Sequence, residues 1–140
     1  MYEPIRTGPS RRSDQNTMAG TTSDFPHRSR EEELDIQLAG HLAALLAVTD
    51  ELRALAPSSD LDTAAGRLAA QVSRLRGGRA PLRASTTAAT EPSALHQRAH
   101  ALAGRALVVA ASRADTAAAI LAAERMDAHA AAQEPVSAAH

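Results

Sequence analysis

The chain has 140 residues, enough for one small domain, and a formal net charge of −1 at pH 7. With so little net charge, no overall electrostatic field attracts nucleic acid or an acidic membrane surface. The absence of cysteine excludes disulfides and thiol chemistry. Arginine and alanine are frequent and lysine is absent, a composition typical of a high-GC bacterium such as an actinobacterium.

Residues 1–30 contain prolines and glycines among polar residues, without a periodic apolar pattern. This composition predicts a disordered tail. The pair Arg11–Arg12 occurs in twin-arginine export signals, but no apolar segment follows it, so the cytoplasm is the expected location. Met18 offers an alternative translation start.

Two helices are predicted after the tail, over residues 31–56 and 60–76. The first begins with acidic residues, which the helix dipole favours, and it ends before Pro57. The second can be capped by Ser59 or Asp60, and two glycines directly follow its last residue. Because only a short turn separates the two helices, we expect them to form an antiparallel hairpin.

The third predicted element is a single long helix over residues 93–133, after a flexible connector at 77–92. Apart from Gly104 it lacks glycine and proline, and apolar residues recur at every third or fourth position. A helix that is apolar on most sides is usually packed against several neighbours. The alternative is a break near Arg113–Asp115, after which the chain folds back. Charged residues recur along this segment, so it does not provide the ~20 apolar residues of a membrane span.

These elements predict an all-α protein. The expected arrangement is a three-helix bundle over residues 31–133, in which the antiparallel hairpin packs on the long C-terminal helix. Residues 1–30 and 134–140 are expected to be disordered. Because Tyr2 and Phe25 are the only aromatic residues and lie in the tail, the core must consist of leucine, valine and alanine.

One pair of histidines has the spacing of metal ligands. His96 and His100 lie four residues apart, hence on the same side of a helix, and His41 on the first helix could supply a third zinc ligand. In the motif HQRAH, Gln97 occupies the position of the general-base glutamate in the HExxH metalloproteases, so hydrolysis is not expected. Histidines with ordinary hydrogen-bond partners are the more common interpretation, and neither a metal nor a cofactor is predicted.

The densest positive cluster consists of four arginines, namely Arg74, Arg76, Arg79 and Arg83. It could bind a phosphate or an acidic partner, whereas a solvated helix end is the more common role of such a cluster. Nucleic-acid-binding proteins usually add stacking aromatic residues or a recognisable fold. Neither is present here, so an anion- or nucleic-acid-binding regulator is the second hypothesis.

No nucleophile motif, phosphate-binding glycine loop or buried pair of carboxylates is evident, so the protein is not predicted to be an enzyme. On a continuous third helix of ~60 Å, the shorter hairpin would leave Ile120, Leu121 and Met126 exposed to solvent. An exposed apolar patch marks an interaction site. The leading hypothesis is therefore a non-catalytic interaction or assembly protein of the bacterial cytoplasm, with a homodimer favoured over another protein partner.

Overall fold

The structure is a computed structural model that describes residues 29–83 and 91–134. Nearly all of the predicted disordered ends and the centre of the predicted connector lie outside the described residues. The chain divides into two units, Met1–Arg30 and Glu31–His140, and the fold described below is that of the second. No helix among the described residues is long and apolar enough to cross a membrane.

Four helices account for 82% of the described residues, which contain no strand. In chain order the helices are α1 (Arg30–Leu55), α2 (Ser59–Leu75), α3 (Pro92–Ser112) and α4 (Thr116–Ala132). The all-α prediction is confirmed. The predicted arrangement of three helices is not, because the C-terminal segment forms two helices instead of one.

The bounds of α1 and α2 lie within one residue of the predicted ones, because local signals mark the helix ends. A serine one position earlier than predicted, Ser58, caps α2, and its hydroxyl accepts a hydrogen bond from the Leu61 backbone N–H at 3.1 Å. After α2, Gly77 takes a φ of +71°. The Gly78 N–H then donates to the Ser73 carbonyl at 2.7 Å, which closes the helix end.

The same closing pattern ends α3, with an alanine in place of the glycine. Ala114 takes a φ of +57°, and the Asp115 N–H donates to the Ala110 carbonyl at 2.8 Å. The Asp115 carboxylate then caps α4 by accepting a hydrogen bond from the Ala118 N–H at 3.2 Å. The single long helix is therefore wrong, and the alternative of a break followed by a fold-back is correct.

Two ion pairs connect the turn between α3 and α4 to α1 and α2. Arg113 Nε lies 3.1 Å from an Asp35 oxygen of α1, and Arg74 Nη2 of α2 lies 2.8 Å from an Asp115 oxygen. The two residues that flank Ala114 are thus each paired with a different helix. These contacts offset part of the strain of a left-handed alanine.

The first helix supplies most of the large side chains of the core. Its buried face repeats in steps of three and four residues and consists of Leu38, Leu42, Leu45, Thr49 and Leu52. The Thr49 hydroxyl donates to the Leu45 carbonyl at 2.8 Å, so the one polar group in this row is satisfied. From α2, Leu61, Leu68 and Val72 complete the apolar layer.

The helices α3 and α4 pack closely as an antiparallel pair. Each carries a row of small buried side chains, and the two rows together are here called the seam. The seam consists of Ala99, Ala103, Ala106 and Ala110 on α3 and of Ala118 and Ala122 on α4. Small side chains let two helices approach closely. Beside the seam, Gly104 lies against Met126, whose Cε is 3.7 Å from the position that a Cβ of residue 104 would take.

Candidate functional site

The seam becomes polar at the end far from the turn, where α3 begins and α4 ends. Steps of three and four residues place His96 in line with the alanines of α3, and Arg125 and His129 in line with those of α4. Arg125 is only 4% exposed and His129 only 1% exposed. We call these three residues, together with Asp60 of α2, the polar cluster.

One chain of hydrogen bonds joins the members of the polar cluster. Arg125 Nη1 donates to both oxygens of Asp60, at 3.3 and 3.2 Å. The other terminal nitrogen, Nη2, lies 3.4 Å from His129 Nε2. His129 Nδ1 in turn lies 2.9 Å from His96 Nδ1, and the planes of the two rings are inclined by 46°. The chain thus connects α2, α4 and α3.

The arginine determines which nitrogen of each histidine carries the proton. A guanidinium group only donates, so His129 Nε2 must accept and His129 must carry its proton on Nδ1. His129 Nδ1 then donates to His96 Nδ1, which leaves the proton of His96 on Nε2. In this arrangement both histidines are neutral.

Burial and the positive charge of Arg125 both favour the neutral histidines. Burial, followed by Arg125, lowers the pKa of His129 to about 4. The same two causes, in the same order, lower the pKa of His96 below its ordinary value. The Asp60 carboxylate compensates the charge of Arg125. It does so from the protein surface, since the Asp60 side chain is 67% exposed.

One donor of the polar cluster has no partner among the described residues. Arg125 Nε is buried and forms no hydrogen bond. A buried, unpaired donor costs about 1–3 kcal/mol. The polar cluster therefore carries a cost that apolar side chains at this end of the seam would not have.

The structure does not bring together the three histidines that were considered as metal ligands. His96 contacts His129 of α4. Within residues 29–83 and 91–134, no group of three or more His, Cys, Asp and Glu side chains is placed to hold a metal ion.

The four predicted anion-binding arginines do not form one open basic surface. Arg74 pairs with the carboxylate that caps α4. Arg83 forms two parallel hydrogen bonds to Asp50, at 2.7 and 2.8 Å, and these bonds hold the pKa of Asp50 below its ordinary value. Arg79 Nε donates to the backbone carbonyl of Arg76 at 3.3 Å. Two of the four charges are thus compensated within the protein.

Of the three predicted interaction residues, only Ile120 is well exposed, at 52%. Leu121 is 2% exposed and belongs to the core, and Met126 is partly buried against it. The expectation that all three face solvent is wrong. It assumed a straight helix extending beyond the hairpin, whereas the fold-back turns Leu121 and Met126 inward.

Ile120 lines a groove at the turn between α3 and α4. The groove encloses about 290 Å³. It is lined mainly by small side chains, those of Ala110, Ala111, Ala114, Ala119 and Ala123. Its charged lining residue, Asp115, is already paired with Arg74. We call this feature the alanine groove. One turn from Ala111 on α3, Val108 is 66% exposed and extends the apolar surface.

No family model, curated protein or solved structure matches the chain significantly. The function is therefore argued from the geometry of the two features described above, the polar cluster and the alanine groove.

Three members of the polar cluster, Asp60, Arg125 and His129, were not predicted as site residues. The sequence does hold a signal, because Arg125 and His129 continue the spacing of Ala118 and Ala122 along α4. That signal has meaning only once α4 is known to fold back on α3, since on a straight helix these residues never approach His96.

Proposed function

We propose that the protein is a non-catalytic protein of the bacterial cytoplasm that acts by helix–helix association, and that a second copy of the chain occupies its alanine groove. The observation that carries this proposal is the 52% exposure of Ile120 directly beside the groove. Exposed apolar residues that cluster around a concave apolar surface are typical of interaction sites.

Self-association is favoured over another partner because this surface is complementary to itself. Ile120 is an apolar side chain that is 52% exposed, and with the alanines beside it lines a depression. A two-fold axis through the surface would place Ile120 of each copy in the groove of the other, which is the usual arrangement of a homodimer interface. A heterologous partner would require a second, different surface for the same fit.

A partner that binds through charged groups would gain less binding free energy from this surface than an apolar one. The carboxylate of Asp115 is paired with Arg74 inside the protein, and exposed ion pairs contribute only about 0–1 kcal/mol. No observation favours the four arginines as a separate anion- or nucleic-acid-binding site, because Arg74 and Arg83 are engaged with carboxylates of the same chain.

Sedimentation at several concentrations, on wild type and on Ile120→Asp, tests the proposal. We expect a wild-type dimer at micromolar concentration, and a monomer with unchanged helicity for Ile120→Asp. Ile36→Asp is the matched control, because Ile36 is an isoleucine of similar exposure, 49%, on α1. A wild type that remains monomeric at high micromolar concentration, or equal weakening by both substitutions, would contradict the proposal.

A further inference from the structure

The polar cluster lies at the end of the α3–α4 pair opposite the turn, here called the open end. Its hydrogen bonds are compatible with only one distribution of protons. Arg125 donates to His129 Nε2, and His129 Nδ1 donates to His96 Nδ1. A single N–H···N bond of 2.9 Å joins the two histidines. Two ring nitrogens must therefore carry no proton. They are His96 Nδ1, which accepts from His129, and His129 Nε2, which accepts from Arg125.

An added proton has no favourable position in this arrangement. If His129 takes it on Nε2, two donors face each other at Arg125. If His96 takes it on Nδ1, the two Nδ1 groups both donate, unless His129 moves its own proton to Nε2 and again opposes Arg125. Each choice breaks a hydrogen bond of the buried His129 side chain.

We propose that the polar cluster is an acid-sensitive latch, in which protonation of the His96–His129 pair separates the first turns of α3 from the last turns of α4 while the turn end of the pair stays closed. This inference goes beyond the proposed function and does not depend on the alanine groove.

The charges around the pair act mostly against an added proton. Arg125 of α4 lies beside His129, His96 and His100 of α3 are close enough to disfavour a second charge, and Asp60 of α2 alone opposes them. From α1, Glu51 faces this end of α3 but is paired with Arg98 at 3.7 Å. Separation of the helices would return both histidines to water, where each is readily protonated.

The direction of the pH dependence follows from the lowered pKa. In the closed state the pKa of His129 is about 4, and in the open state we expect the ordinary value of about 6.5. Closure is therefore fully favoured above pH 6.5, and it weakens progressively as the pH falls towards 4.

The two ends of the pair should respond differently because they are held differently. The turn end is apolar at the seam and is fastened by the Arg113–Asp35 and Arg74–Asp115 ion pairs. The open end consists of the start of α3 and the end of α4, and helix termini open locally more easily than the centre of a domain. Local opening at moderately acidic pH is thus expected to precede global unfolding.

Spin labels on introduced cysteines test the latch, and the natural chain has no cysteine that would interfere. One pair, Ala94→Cys with Ala131→Cys, labels exposed positions at the open end, and a second pair, Ser112→Cys with Ala117→Cys, labels the turn end. Between pH 7 and pH 4 we expect the dipolar coupling of the first pair to weaken and that of the second pair to remain.

The neutral variant His129→Gln separates the latch from general acid denaturation. Its amide can accept from Arg125 and donate to His96 but does not titrate, so opening should shift at least about one pH unit lower. His96→Gln serves the same purpose if His129→Gln does not fold. His41→Gln, on α1 and not among the charges that act on His129, is the control that should open like wild type. An unchanged midpoint in both neutral variants, or loss of coupling at both ends together, would overturn the latch.

Discussion

The two ends of the α3–α4 seam have the same residue spacing and are closed by different chemistry. Near the turn, Ala106, Ala110 and Ala118 are fully buried members of the apolar core. At the open end, the same spacing places Arg125 and His129 in positions that are almost as buried. Burial along the seam is thus determined by position on the helix and not by residue type.

The difference shows what each end requires. The alanine end needs only small side chains, which allow the helices to approach. The polar end needs a matched donor and acceptor at each contact, because an unpaired polar group costs far more inside a protein than in water. The unpaired Arg125 Nε shows that this matching is incomplete.

The largest effect on stability is expected when an arginine, like Arg125 of the polar end, is introduced at the alanine end of the seam. Ala106→Arg places a charge in the fully buried part of the seam, and no Asp or Glu of residues 29–83 and 91–134 is buried to compensate it. We expect the free energy of unfolding to fall by about 3–5 kcal/mol, as for other uncompensated buried charges. Urea unfolding at pH 7 measures this loss.

The control for that substitution is Ala101→Arg, at an exposed position of the same helix. It should change the free energy of unfolding by no more than about 0.5 kcal/mol. A loss below about 1 kcal/mol for Ala106→Arg would show that the seam is open to solvent.

A smaller effect is expected at the turn, where Ala114 holds the left-handed conformation that Gly77 holds after α2. Ala114→Gly should raise the free energy of unfolding by about 0.5–1 kcal/mol, because glycine adopts this conformation without steric cost. Gly77→Ala should lower it by a similar amount. Thermal unfolding of both variants decides, and a destabilised Ala114→Gly would contradict the strained turn.

These two turns also explain how much of the fold the sequence predicts. Pro57 and the glycines after α2 are local signals, so α1 and α2 were predicted to within a residue. No glycine or proline marks Ala114, and the local signals are only its charged neighbours Arg113 and Asp115, of which Asp115 can cap a helix. The break was therefore only an alternative, and its position is stabilised by distant partners, Asp35 and Arg74, that a local pattern does not reveal.

The candidate sites also depend on contacts between residues that are distant in the sequence. Ile120 was identified correctly as an exposed apolar residue, but the burial of Leu121 follows only from the fold-back. The contact between His96 and His129 joins residues 33 positions apart. The sequence pointed to His100 as the neighbour of His96 instead. Spacing along one helix directly shows only neighbours three or four residues apart.

The most direct test of the polar end is nitrogen NMR of the histidine rings at pH 7. We predict that His129 carries its proton on Nδ1 and His96 on Nε2, and that a scalar coupling across the hydrogen bond connects the two Nδ1 nuclei. This coupling would establish in one spectrum both the fold-back of α4 on α3 and the proton arrangement of the polar cluster. A proton on His129 Nε2, or two histidines without any coupling between them, would contradict the account.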